Sequence, residues 1–140
     1  PSLKFDLIVC IGVLAHVENP WKFLAMLDSL LNKDGIIIVE TTEKPYPLGK
    51  LLSRVGVLDY SLKQDVSYSS YVKHRVAVLD LVNYFTKSGY DNVGENRFSI
   101  PLPGMSKWPQ VLRFMYTLLT WKVPFLSRFG SEYIACFKKR

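Results

Sequence analysis

The side chains best suited to moving a proton near neutral pH are two histidines, His16 and His74. An unperturbed imidazole titrates near ~6.5, which suits general-base work. His16 lies within Leu14-Ala15-His16-Val17, and His74 is followed by Arg75. Each also has a structural reading. His16 could bond backbone and fix the loop before a helix, and His74 could simply flank the helix that follows it. Cys10 and Cys136 both sit in apolar runs with no His or Cys at ligand spacing. Neither a zinc site nor a disulfide framework is expected, and no metal site is assigned. No two of the eight glycines have G-x-G spacing.

These residues must be positioned by a small α/β framework. The chain has 140 residues, 49% of them hydrophobic and 21% charged, which fits one globular domain and excludes a disordered or low-complexity chain. Phe5 to Ile11 is an almost continuous apolar run, the pattern of a strand covered on both faces. Asn19-Pro20 then supplies a cap and a first-turn proline, and Trp21, Leu24, Leu27 and Leu31 recur at helical spacing until Lys33-Asp34-Gly35. Ile36 to Val39 is a second β-branched run, so residues 5–39 read as a βαβ unit with parallel strands. From Thr41 to Lys73 the pattern loosens into a lid-like insertion rich in tyrosine and serine, with a short candidate helix around Leu48–Val57. Helical spacing returns at Val78, Leu81, Val82 and Phe85, and Ser88-Gly89 supplies a left-handed stop. A strand is expected over Val93–Ile100, a very apolar helix over Trp108–Trp121, and a closing strand over Glu132–Lys138.

A wholly apolar strand is normally flanked on both sides, because edge strands carry charge, proline or bulges. The run after Asp6 carries none. The second strand can cover one side, and further sheet, from sequence outside this chain or from a second copy, is expected on the other. Ligands in open α/β sheets sit beyond the carboxyl ends of the strands, here Cys10–His16 and Glu40–Thr42.

The stretch Phe5-Asp6-Leu7-Ile8-Val9-Cys10-Ile11-Gly12-Val13-Leu14-Ala15-His16-Val17-Glu18-Asn19-Pro20, with a helix ending Leu30-Leu31-Asn32-Lys33-Asp34-Gly35 before Ile36-Ile37-Ile38-Val39, resembles the second half of a class I S-adenosylmethionine-dependent methyltransferase. His74-Arg75 leading into a helix that ends Ser88-Gly89-Tyr90 is similar to the family's next segment, and Glu132–Lys138 to its antiparallel seventh strand. The resemblance implies the C-terminal half of a Rossmann-like methyltransferase sheet, with parallel strands and an antiparallel closing strand. It implies S-adenosylmethionine as cofactor, with Cys10, Ile11 and Gly12 bordering its methionine part largely through backbone. It also implies a catalytic role for His16, which could orient substrate or accept a proton; His74, on the far side of the lid-like insertion, could approach the same strand ends and form a catalytic polar pair with it. Where quinone O-methyltransferases of the family place metal-binding glutamates, this sequence has Gly12 and Ala15, so metal dependence is not expected. The family's glycine-rich turn and the acidic residues for ribose and adenine would precede Phe5 and are absent. The chain is therefore expected to be a partial methyltransferase domain over 1–140 that binds cofactor poorly by itself.

The implied function is methyl transfer to a small apolar acceptor, as part of a longer chain. The alternative is a non-catalytic interaction or membrane-surface module derived from the same fold. Eighteen basic against twelve acidic residues give a net charge of +6, but the cations are scattered, and no nucleic-acid partner is expected. The apolar insertion at about 104–128 could be a lid over the acceptor, a buried helix, or an interfacial helix contacting a membrane peripherally. The open strand at 5–11 could self-associate. Without a signal-peptide pattern or a run of ~18 uncharged apolar residues, a cytoplasmic setting is expected.

Overall fold

The computed structural model describes residues 3–42, 54, 76–99, 109–122 and 124–140. Its elements are β1 (Phe5–Cys10), α1 (Pro20–Leu30), β2 (Leu31–Thr42), α2 (Val78–Lys87), β3 (Tyr90–Phe98), α3 (Gln110–Lys122), α4 (Pro124–Ser127) and β4 (Glu132–Lys139). The four strands form one sheet in the order β1-β2-β4-β3. β1 and β2 are parallel, with Cys10 opposite Val39, and β4 runs antiparallel between β2 and β3. The mixed sheet with an antiparallel closing strand is the arrangement expected from the sequence, and β4 is inserted inside β3 rather than added beyond it.

Local chemistry explains where the elements start and stop. The Asn19 side chain accepts a hydrogen bond from the Lys22 backbone N–H at 3.0 Å, and Pro20 occupies the first helical turn, where its missing donor costs nothing. Leu24 and Leu27 face the core, whereas Trp21 is 38% exposed, its ring 5.3 Å from that of Tyr84. The helix ends at Leu30 and the strand begins at once, five residues before the β-branched run. Between Phe5–Leu31 and Leu7–Ile36 the pairing skips residues 32–35, which swing out with Asp34 at φ 63°. Gly35 is required there by close approach: a Cβ would lie 2.7 Å from Leu31 Cγ and 2.9 Å from the Asn32 carbonyl oxygen. Gly89, at φ 84°, is the left-handed stop after α2.

The strand expected over Val93–Ile100 instead occupies Tyr90–Phe98. Its sequence is polar apart from its ends and Val93, because it is a sheet edge, held by backbone pairing with β4 and by one buried anchor, Tyr90. One face of the sheet carries the core. Ile37, Val39, Tyr133, Ala135 and Phe137 point into it, and Leu24 and Leu27 of α1 with Leu81 and Phe85 of α2 cover them. Phe85 stacks on Phe137 with centroids 4.1 Å apart and meets Tyr90 edge-on at 5.1 Å.

β1 is the other edge of the sheet. Phe5, Leu7, Val9 and Ile11 alternate along one face and are 41–55% exposed, while Cys10 on the opposite face is buried. The apolar run is thus covered on one face and along one side only. The insertion at about 41–73 lies almost wholly outside the described residues, and His74 is outside them as well. Among the described residues no helix is long and apolar enough to cross a membrane.

Candidate active site

The parallel strands β1 and β2 end side by side, and their register decides which side chains meet beyond them. With Cys10 opposite Val39, the next residue on β2 is Glu40, alongside the turn that leaves β1. Gly12 takes φ 68° in that turn, and its backbone N–H donates to Glu40 Oε2 at 2.8 Å. A charged acceptor on a left-handed glycine ties the two strand ends together. Nothing lies within 4 Å of the position a Gly12 Cβ would take, and the neighbouring Ile11 side chain is 52% exposed. The turn therefore presents open backbone beside an apolar shelf and an acidic rim.

Cys10 sits directly beneath. Burial, reinforced by the charge of Glu40, pushes its thiol up to about 11, so it is a neutral packing group near pH 7 rather than a nucleophile. The next two β2 residues are committed to structure. The buried Thr41 hydroxyl donates to the Val76 carbonyl at 2.9 Å, and Thr42 donates to Glu132 Oε2 at 2.6 Å. Of the strand end named in the sequence, only Glu40 faces the turn.

His16 stands on an exposed turn closed by its own N–H donating to the Val13 carbonyl at 2.9 Å, between β1 and the cap of α1. Leu14 is buried beneath the turn and anchors it. The structure thus brings Cys10, Ile11, Gly12 and Glu40 together and sets His16 four residues along the same loop. The proposed pair with His74 falls outside the described residues. Among the described residues no three His, Cys, Asp or Glu side chains are grouped to hold a metal. The specific role of Glu40 was missed in the sequence. Its signal was a lone carboxylate at the end of Ile36-Ile37-Ile38-Val39.

On α3, Val111, Leu112, Phe114, Met115 and Leu119 are 51–68% exposed, so within this chain no other described element covers them.

Comparison with known proteins agrees with this architecture. The family model described as "Methyltransferase domain" matches residues 1–95. The ubiquinone biosynthesis O-methyltransferase of Rickettsia bellii is 32% identical over 73 residues, covering 50% of this chain and 30% of that protein. The tRNA U34 carboxymethyltransferase of Campylobacter jejuni is 48% identical over 40 residues, covering 29% of this chain and 14% of that protein. The chain thus spans less than a third of the length of these curated relatives. Among solved structures, a possible histamine N-methyltransferase from Thermotoga maritima superposes with a TM-score of 0.61 at 14% identity, over 100% of this chain and 60% of that one. The magnesium protoporphyrin IX methyltransferase of Synechocystis, solved with bound SAH, gives 0.56 at 15% identity, over 100% of this chain and 47% of that one. With a family model matched over two thirds of its residues, and the fold shared with these solved structures, the chain belongs to the methyltransferase-domain family.

Proposed function

We propose that this chain supplies the acceptor-side half of an enzyme that moves a methyl group from S-adenosylmethionine to a small apolar acceptor. The observation that carries this reading is the turn at the ends of β1 and β2, where open backbone at Gly12 lies beside the exposed Ile11 and the Glu40 carboxylate. These residues fit the border of a zwitterionic, sulfonium-bearing group: an apolar shelf for its methylene chain and a negative rim for its positive charge. When bound, the cofactor supplies an electrophilic methyl carbon. The chain's own work is positioning, because an in-line displacement gains most from holding both reactants in register. Cys10, Ile11 and Gly12 would border the cofactor, and Glu40 would keep the Gly12 turn in place. His16, on the rim, would orient the acceptor or take its proton where the acceptor is a hydroxyl.

The remainder of the cofactor site would come from sheet added along the exposed edge of β1, in a longer chain or a partner. The Rickettsia bellii relative, aligned over half of this chain, supports a small acceptor methylated on oxygen. The test is calorimetric titration of S-adenosylmethionine into the complete gene product and into the 140-residue chain. Methyl-transfer assays on phenolic and quinol acceptors and on tRNA accompany it. Binding by the complete product, with transfer to a phenolic or quinol acceptor, is expected. Transfer to tRNA alone would overturn the acceptor class, and binding by neither form would leave the non-catalytic module as the better account.

A further inference from the structure

α3 has the pattern of a helix built to lie on something apolar. Val111, Phe114, Met115, Leu118 and Leu119 follow the i, i+3, i+4, i+7, i+8 spacing that puts them on one side, while Arg113 and Thr117 fall on the opposite side. All five apolar side chains are exposed, Phe114 by 64% and Met115 by 60%. Phe125 on the following α4 is 65% exposed. At 13 residues and about 1.5 Å per residue the helix is too short to cross a bilayer, so it would lie in the plane of an interface.

Charge identifies the occupant. Between Glu95 and Glu132 the chain carries Arg97, Lys107, Arg113, Lys122 and Arg128 and no acidic residue, whereas the whole protein has twelve. An uncharged protein surface or an apolar small molecule gives no reason to exclude carboxylates from 36 consecutive residues. An anionic lipid surface does, because its negative potential attracts cations and repels carboxylates within about a Debye length. We infer that α3 is an interfacial helix that seats the protein on an anionic phospholipid membrane through Val111, Phe114, Met115, Leu118 and Leu119. The inference goes beyond the methyltransferase reading and stands apart from it, since docking requires neither cofactor nor methyl transfer.

The experiment is flotation of the full chain with vesicles of phosphatidylcholine mixed with phosphatidylglycerol, and with vesicles of phosphatidylcholine alone. Binding should favour the anionic vesicles and weaken as salt is raised. Phe114→Asp combined with Met115→Asp should cut partitioning by about tenfold or more, and Arg113→Gln with Arg128→Gln should cut it on the anionic vesicles only. Both phenylalanine and methionine are exposed, and an unchanged circular-dichroism melt checks that the fold survives. The salt response of the unsubstituted chain gives an independent reading. Equal partitioning onto both vesicle types, or wild-type partitioning by the Asp variant, would overturn the proposal. So would a dimer in sedimentation that the Asp variant dissolves while no vesicle binding is seen, which would assign the face to a second copy.

Discussion

Replacing Glu40 with alanine tests whether the candidate site is held by the contact that defines it. The Gly12 N–H donates to Glu40 Oε2 at 2.8 Å across the ends of two parallel strands. Hydrogen bonds to charged acceptors contribute about 1.5–3 kcal/mol when sheltered, and this one is solvent-exposed, so about 1 kcal/mol is the appropriate figure. Losing it should raise the opening equilibrium of the turn about fivefold, read as faster hydrogen exchange at the Gly12 amide by NMR. Glu40→Gln keeps an oxygen acceptor without the charge and should produce about half the energetic effect, near twofold. A second readout follows from the thiol below. Burial and then Glu40 push Cys10 up to about 11 from its ordinary 9.0, so Glu40→Ala should bring the thiol titration down while burial keeps it above 9.0, measured by thiolate absorbance. Unchanged Gly12 exchange in both variants would refute the latch. An unchanged Cys10 titration would show that the carboxylate does not stand where the structure puts it.

Phe85 is 1% exposed, stacks on Phe137 and meets Tyr90 edge-on, so Phe85→Ala should cost about 3–5 kcal/mol in urea denaturation, and a loss below 1 kcal/mol would contradict the packing. Asp28 links α1 to the sheet through Tyr90 at 2.5 Å and Lys139 at 2.6 Å. Burial raises its carboxyl, but those hydrogen bonds and the Lys139 charge outweigh it, so the folded value lies below the ordinary 3.8. A depressed folded value gives stability that is present above 3.8 and lost as pH falls through the folded value, so Asp28→Asn should flatten the acid limb of stability below about pH 4. A Cβ on Gly130 would sit 2.2 Å from the Phe98 carbonyl oxygen, so Gly130→Ala must displace backbone and should cost about 1–3 kcal/mol in the same denaturation assay. Val9→Lys places a charge on the exposed face of β1, where Val9 is 55% exposed; sedimentation velocity should show less self-association with an unchanged melt, and equal association would remove β1 as the contact.

The βαβ unit was legible because its signals are local. Two unbroken apolar runs, Asn19-Pro20 and the spacing of Leu24 and Leu27 each act within a few residues. The bounds of β3 were not, since Tyr90–Phe98 is polar through most of its length and owes its conformation to pairing with β4, some forty residues on. The helix stop expected at Lys33-Asp34-Gly35 falls earlier, at Leu30, and the three residues form a bulge in β2 instead. The residue with positive φ is Asp34, and Gly35 is needed to let the Leu31 side chain pass. At the site, Cys10, Ile11 and Gly12 were named through a family likeness, and the region Glu40–Thr42 through the rule of strand ends. Only the β1–β2 register shows that Glu40 meets Gly12 while Thr41 and Thr42 turn to structural partners.

The two edges of the sheet show how the surface of the molecule is used. β3 is a long edge strand carrying Asp91, Asn92, Glu95, Asn96 and Arg97, with Glu95 accepting from Tyr133 and Asn92, which is how a permanent edge avoids pairing with another chain. β1 has Phe5, Leu7, Val9 and Ile11 exposed and no charge after Asp6. Were both edges solvent-facing in the working protein, the same protection would be expected at both. The asymmetry supports a β1 that is interior to a larger sheet, and an interior β1 puts the Gly12–Glu40 turn near the middle of that sheet's carboxyl end. Crevices that hold ligands in open α/β sheets form there, at the point where strand order reverses. The bareness of β1 and the position of the acidic turn are therefore one argument: a strand that paired with β1 would also build the other wall of the site.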